Sequence, residues 1–289
     1  MLINPGAGFA GDEAKAEPYR RLFAEGGIEA DVRVVTEGDL LPTLGEMLAR
    51  KPDAVVVAGG DGTINAVASR LAGTGIPIGV LPMGTYNHFA KDLGLPLETT
   101  GAIRLIKAQR PKAVDIGEVN GRIFINNSSI GAYTHIVEER EQTLKKFSLP
   151  KRFANFVAFI KVLKRWPLIN VKIEIGGDKI VRTTPFVFVG NNEYTMNLFK
   201  VSLRSCLDRG ALWVYTVKTT SFFGLLRLFW RSIINRLEQS RNFESYAAKE
   251  FTVVPHRKHV RVALDGEVVR MDAPLHYRIR PRDLLVFAP

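Results

Sequence analysis

The sequence predicts an α/β protein in two parts: an N-terminal three-layer domain around a parallel sheet, and a C-terminal antiparallel β-sandwich. Three observations carry this prediction. Asp53-Ala54-Val55-Val56-Val57 and Ile76-Pro77-Ile78-Gly79-Val80-Leu81 are short apolar runs without helical period, the pattern of strands covered on both faces. Each passes through a glycine turn into helical spacing: Ile64, Val67, Ala68 and Leu71 after the first, Phe89 and Leu93 after the second. Such strand–helix alternation calls for a parallel sheet clothed by helices. Beyond about residue 115 the period changes to many short strands with tight turns, the pattern of an antiparallel sandwich.

In order, Met1-Leu2-Ile3 reads as a first strand and Asn4-Pro5-Gly6-Ala7-Gly8 as a turn. Helices are expected over 13–24, 40–49 and 99–108, with a strand over 30–35 that ends at Thr36. Glu118-Val119 and Arg122 to Ile125 flank Asn120-Gly121, a strong hairpin signal. Gly176-Gly177-Asp178 closes a second hairpin, and strands are expected over 186–189, 212–217, 251–254, 260–264 and 275–279. The domains are therefore placed at 1–114 and 115–274, with a terminal segment at 275–289.

Composition narrows the class. The 289 residues are 46% hydrophobic, enough for two ordinary cores. The net charge of +11 points to an anionic partner; no nucleic-acid motif accompanies it, so none is expected as partner. Cys206 is the single cysteine, which rules out an internal disulfide and favours a reducing compartment. No secretory leader precedes Ile3-Asn4-Pro5-Gly6, and no apolar run approaches the roughly 18–20 residues of a membrane span. The expectation is a cytoplasmic protein with peripheral membrane contact. Two stretches, 151–166 (KRFANFVAFIKVLKRW) and 221–237 (SFFGLLRLFWRSIINRL), set aromatic faces beside basic flanks. That pattern suits an anionic interface; read individually, each is first an amphipathic helix covering the sandwich.

The glycine turns hold the candidate chemistry. In Ala58-Gly59-Gly60-Asp61-Gly62-Thr63-Ile64-Asn65 the missing Cβ atoms let backbone N–H groups approach a ligand at a helix N-terminus, an anion site suited to phosphate. Thr63 can cap the helix or bond a phosphate oxygen. Asp61 is the odd member, since a carboxylate repels phosphate. It fits if a divalent cation intervenes, or if it holds the loop or a ribose by hydrogen bonds. Pro82-Met83-Gly84-Thr85-Tyr86-Asn87-His88 repeats the arrangement, and both turns would lie at the carboxyl edge of the sheet. Near the C-terminus, Leu264-Asp265-Gly266-Glu267 spaces two carboxylates across a glycine. Locally this is an Asp-Gly turn. Paired carboxylates converging at a turn can also raise one pKa toward that of a useful base. His256 and His259, in Pro255-His256-Arg257-Lys258-His259, lack further ligands at metal spacing and read as solvated.

Asn4-Pro5-Gly6-Ala7-Gly8, Gly59-Gly60-Asp61-Gly62-Thr63, Gly84-Thr85-Tyr86-Asn87 and Leu264-Asp265-Gly266-Glu267 occur in that order. The chain thereby resembles the diacylglycerol kinase catalytic family, which includes sphingosine and ceramide kinases and soluble bacterial relatives. The resemblance implies an ATP-dependent lipid kinase using Mg²⁺, with a lipid substrate at an anionic membrane surface and a homodimer as an oligomeric option. It implies nucleotide contacts at Asn4, Pro5, Gly8, Thr36, Gly59, Gly60, Asp61, Gly62, Thr63, Asn65, Gly84, Thr85 and Asn87. The catalytic carboxylates would be Asp265 and Glu267, either of them the base, and the metal-associated set Asp61, Asp115 and Asp208. It also implies that 275–289 returns to the first domain.

The chain departs from the family pattern at four positions. Ala7 stands where Ser is usual, His88 where Asp commonly follows the Asn of the second turn, and Ala66 where Glu commonly follows Asn65. Arg209 stands where a second Asp helps hold a structural Mg²⁺ in many relatives, so a cation there replaces the metal and Asp208 is a fallback ligand. Two rival readings follow. One is an NAD-kinase-like enzyme with a soluble acceptor, which shares GGDGT and the Asn-Glu pair seen at Asn192-Glu193. The other is a lipid- or nucleotide-binding pseudokinase without turnover.

Overall fold

The computed structural model describes residues 1–4, 14, 16–108, 110–135, 168–194, 204, 206–218, 224 and 242–289. Pro5, Ala7, Gly8, the stretch 151–166 and, apart from Gly224, the stretch 221–237 lie outside the described residues. The chain divides into two compact units. The first comprises Met1–Ile116, Cys206–Asp208 and Pro281–Pro289; the second comprises Gly117–Ser205 and Arg209–Arg280.

The first unit alternates strands and helices: β1 (Leu2–Ile3), α1 (Glu17–Ala24), β2 (Arg33–Val34), α2 (Leu40–Ala49), β3 (Val55–Gly59), α3 (Asp61–Leu71), β4 (Ile78–Pro82), α4 (His88–Asp92) and α5 (Thr99–Lys107). The strands pair in parallel, in the order β2-β1-β3-β4. All five residues of β3 are buried, so both its faces are covered, as its unbroken apolar run foretells. Val56 and Ala58 pack with Ile3, Leu81, Phe23 of α1 and Ala102, Ile103 and Ile106 of α5. The apolar stripes of α2 (Leu40, Leu44, Met47) and α3 (Ile64, Val67, Ala68, Leu71) are buried as well. Alternation along a strand puts Val55 and Val57 on the face opposite Val56 and Ala58.

The strand β5 (Pro111–Val119) passes from the first unit into the second. There follow β6 (Arg122–Phe124), β7 (Asn127–Gly131), β8 (Ile169–Ile175), β9 (Asp178–Thr184), β10 (Phe186–Asn191), β11 (Leu212–Val217), β12 (Phe243–Ala248), β13 (Glu250–Pro255), β14 (His259–Leu264), β15 (Glu267–Asp272) and β16 (Leu275–Phe287). One antiparallel sheet runs β12-β11-β10-β7-β14-β15. Facing it are β8, β9, β13 and the first residues of β16, also antiparallel. Val187, Val189, Val214, Val262 and Leu264 of one sheet share a buried core with Val171, Ile173, Phe251, Val253 and Tyr277 of the other, a sandwich.

Both glycine hairpins form. Asn120 and Gly121 carry φ +47° and +80°, and Gly176 and Gly177 +58° and +94°, the mirror-image turn that matches strand twist. The segment 275–289 divides differently from the expected single return. Leu275 to Arg278 pair with Val253 to Glu250 in the sandwich, and only Pro281–Pro289 joins the first unit. The change of unit falls at Pro281, followed by Arg282 at φ +54°, inside one continuous strand. Cys206–Asp208 also joins the first unit, through the Asp115 N–H bond to the Leu207 carbonyl (2.7 Å).

Candidate functional site

The carboxyl ends of β3 and β4 bring the two glycine turns together. β3 and β4 run parallel with Gly59 opposite Pro82, and the Met83 N–H donates to the Gly59 carbonyl at 2.8 Å. A Cβ on Gly84 would lie 2.9 Å from the Gly60 Cα and 2.8 Å from Asn87 Oδ1. No side chain fits there, which is why glycine stands at this close approach. Asn87 sits at φ +52°, a conformation Asn tolerates well. Its side chain binds both polar groups of Gly84: Oδ1 accepts from the N–H at 2.8 Å, and Nδ2 donates to the carbonyl at 2.9 Å.

Asp61 ties one turn to the other. Oδ2 accepts from the Asn87 N–H at 2.9 Å and Oδ1 from the His88 N–H at 2.8 Å. This answers the oddity of a carboxylate in a phosphate-type loop: its charge is held by the second turn's amides. The first-turn N–H groups of α3 precede its first intrahelical bond, Ile64 N–H to the Gly60 carbonyl at 3.0 Å, and are the orphan donors of a helix N-terminus. Asn4 joins through its N–H to the Ala58 carbonyl (2.8 Å) and its Nδ2 to Thr63 Oγ1 (3.0 Å). Gly62 and Thr85 are exposed at the turn tips. Tyr86 and His88 stack with ring centroids 5.5 Å apart. Thr36 and Asn65 have local bonds instead: Thr36 Oγ1 with the Asp39 carboxylate (2.5 Å), and Asn65 Oδ1 accepting from the Ser69 hydroxyl (3.4 Å).

The expected metal set does not assemble. Among the described residues no group of at least three His, Cys, Asp or Glu side chains is gathered to hold an ion. Both Asp61 oxygens face amides, the buried Asp115 accepts from the Arg282 N–H at 2.9 Å, and Asp208 is exposed. Arg209 pairs with Glu193 at 2.5 Å, and its N–H donates to Asn192 Oδ1 at 3.0 Å. These residues do not fit a resident metal.

In the second unit, Asp265 and Gly266 form the two-residue turn between β14 and β15, with Leu264 paired to Glu267. Their φ values are +48° and +91°. The turn and the candidate site are thus one object: the left-handed backbone at Asp265 presents its carboxylate to a second loop. Oδ1 accepts from the N–H groups of Asn126 and Asn127, and Oδ2 from that of Ile125, all at 2.8 Å. Burial pushes the Asp265 carboxyl up to about 6; the three backbone N–H groups and the Arg204 charge oppose the rise without cancelling it. Glu267 is exposed, at the rim position of the face that carries Val269 and Met271 inward.

Arg204 braces the same loop and was not foreseen from the sequence. It is buried; Nη1 donates to the carbonyls of Ile125 (2.7 Å) and Asn191 (3.1 Å), and Nη2 to Asn126 Oδ1 (3.0 Å). Asn191 Nδ2 also donates to the Ile125 carbonyl at 2.9 Å. The only signal was the polar end of the 186–191 strand, since an isolated Arg in sequence reads as surface.

Fold and turns together define a two-unit α/β protein with an amide-lined, phosphate-type edge on its parallel sheet and a carboxylate-bearing hairpin in its sandwich. By comparison, residues 1–119 match the family described as Diacylglycerol kinase catalytic domain. A relative from Pseudomonas savastanoi pv. phaseolicola named as a YegS-like lipid kinase is 38% identical over 142 residues, covering 47% of this chain and 46% of that protein. This chain thus spans about half the length of the first such relatives it matches. A Staphylococcus aureus protein named diacylglycerol kinase is 27% identical over 240 residues, covering 82% of this chain and 75% of the relative. The crystal structure of a diacylglycerol kinase from Bacillus anthracis str. Sterne shares the fold, with TM-score 0.69 at 21% identity over 100% of this chain and 95% of that one. No helix among the described residues is long and apolar enough to cross a membrane.

Proposed function

We propose that the chain is a lipid kinase that transfers the γ-phosphoryl group of ATP to a lipid hydroxyl. The observation that carries this reading is the Asp61 clamp, which joins two glycine turns at one sheet edge while the second turn's amides hold its charge. The family match over residues 1–119 and relatives named as lipid and diacylglycerol kinases support it. Phosphoryl transfer needs a phosphate cradle and a group that aligns the acceptor. The N-terminal turn of α3, with Asn4 and Thr63, supplies the cradle. Mg²⁺ enters as the counter-charge of the nucleotide's phosphates.

Of the two candidate carboxylates, we assign the base to Asp265. Three backbone N–H groups fix its orientation, Oδ2 accepts only one of them, and its pKa of about 6 lies close to a working pH. The lipid hydroxyl gives its proton to Oδ2, its oxygen bonds to the γ-phosphorus, and the bond to the β-phosphate oxygen breaks, releasing ADP. Glu267, two residues on, is an exposed carboxylate at the same hairpin. The test is transfer of labelled γ-phosphate to lipid by wild type and by D265N. Lipid label from wild type alone, with ATP binding in both, is the expected result. Equal labelling by the two proteins would refute the base assignment. Labelling of a soluble dinucleotide instead of lipid would refute the substrate class.

A further inference from the structure

The basic turn Pro255-His256-Arg257-Lys258-His259, read from sequence as solvated, lines a cavity. It lies wholly within the second unit, has a volume of about 730 Å³, and shares no residue with the Asp265 hairpin or the Ile125–Asn127 loop. Its size is that of a small-molecule site. Arg261 and Arg270, both lining it, are direct partners in the β14–β15 ladder. Arg261 lies four residues before Asp265, about 13 Å along the strand. Arg257 adds a third guanidinium.

Among the described residues neither Arg257 nor Arg270 enters an ion pair. The one nearby carboxylate in the ladder, Asp272, is held by His259 Nδ1 at 2.5 Å. Guanidinium forks match phosphate oxygens bidentately. Ile130, Ile169, Val260 and Leu168, the last 42% exposed, add apolar surface to a wall that also carries Thr134, His135 and Asn170. Cation and apolar surface thus share one cavity, in a chain of net charge +11.

We propose that this cavity is a second anion site, separate from the nucleotide turns, which takes a phosphate ester through Arg257, Arg261 and Arg270. A phospholipid headgroup and free phosphate share that chemistry, and the apolar wall favours the ligand with a chain. The test is calorimetric titration of the full chain, saturated with a non-hydrolysable ATP analogue to occupy the turns. The probes are monomeric dihexanoyl phosphatidic acid, dihexanoyl phosphatidylcholine and inorganic phosphate. The expected result is binding of phosphatidic acid that weakens about tenfold or more in R257Q/R270Q. R257K/R270K, which keeps the charge without the fork, should fall between, and K179Q, on another strand, should bind as wild type. Weaker binding of inorganic phosphate assigns the site to a lipid; equal binding assigns it to the free anion, and both uphold the site. Affinity for phosphatidic acid unchanged in R257Q/R270Q, equal affinity for phosphatidylcholine, or no binding of either phosphate probe would overturn it. Retained ATP-analogue binding and an unchanged melting curve verify that each variant is folded.

Discussion

The carboxylate of Asp61 accepts the backbone N–H of Asn87 at 2.9 Å, and that of the next residue at 2.8 Å, across 26 and 27 residues of chain. The first glycine turn therefore depends on the second for its shape. D61N keeps one acceptor and turns an NH₂ donor toward an amide donor. A buried donor left unmade costs about 1–3 kcal/mol. D61N should lose roughly that much stability in urea unfolding and should bind ATP more weakly, measured by titration.

Gly84→Ala tests the close approach of the turns independently. Its Cβ would stand 2.8 Å from Asn87 Oδ1 and 2.9 Å from the Gly60 Cα, so one turn must move. ATP affinity should fall by about tenfold or more, equivalent to at least about 1.4 kcal/mol. Gly45→Ala, in α2 with nothing within 4 Å of the added Cβ, should instead raise stability by about 0.5–1 kcal/mol.

How much of this was legible in the sequence follows from the range of each interaction. The β3 and β4 turns were legible because a buried apolar run, glycines and a helical stripe are local signals. So were Asn120-Gly121 and Gly176-Gly177. The strands β7 and β12 were missed: Asn127-Ser128-Ser129 and Ser245-Tyr246-Ala247 are polar or small. Ser128 and Ser129 are nonetheless fully buried, Ser128 against the Tyr277 hydroxyl at 3.0 Å. The Asp61 clamp, the Arg204 brace and the bonds from Ile125–Asn127 to Asp265 join residues 26 to 140 positions apart, beyond any periodicity. Asp265-Gly266 posed turn against site as alternatives, and the structure makes the turn the means of presenting the carboxylate.

Asp265 sets an acid limb. Its carboxyl lies at about 6 in the folded protein against 3.8 unperturbed. Transfer should fall about tenfold per pH unit below about pH 6 as the base protonates, read from kcat/KM against pH. The same shift has a stability sign. The folded state holds this proton more tightly than the unfolded chain, so the contribution is full below pH 3.8 and is lost as pH rises through 6. D265N should remove that contribution from the pH dependence of unfolding.

Arg204 couples to the same group. Its guanidinium serves two carbonyls and one side-chain amide in the loop that binds Asp265. R204M removes a charged donor from three buried acceptors, of which the Ile125 carbonyl keeps Asn191 Nδ2, and should cost about 3 kcal/mol. Losing its charge should move the acid limb of the rate profile upward. A stability loss with an unmoved limb would confine Arg204 to folding.

Glu244 gives an acid dependence of opposite sign. Arg182, with Lys218 and Tyr246, holds its carboxyl down at about 2. Its contribution is present above pH 4.5 and is lost as pH falls through 2. E244Q should lower stability by about 1–2 kcal/mol at pH 7, with the difference from wild type vanishing near pH 2 in urea unfolding.

The most direct measurement of the central claim is incubation of [γ-³²P]ATP and Mg²⁺ with extracted membrane lipids, using wild type beside D265N. The account predicts a radiolabelled lipid from wild type, none from D265N, and equal ATP binding by both. Bound ATP without any labelled lipid from wild type would contradict it.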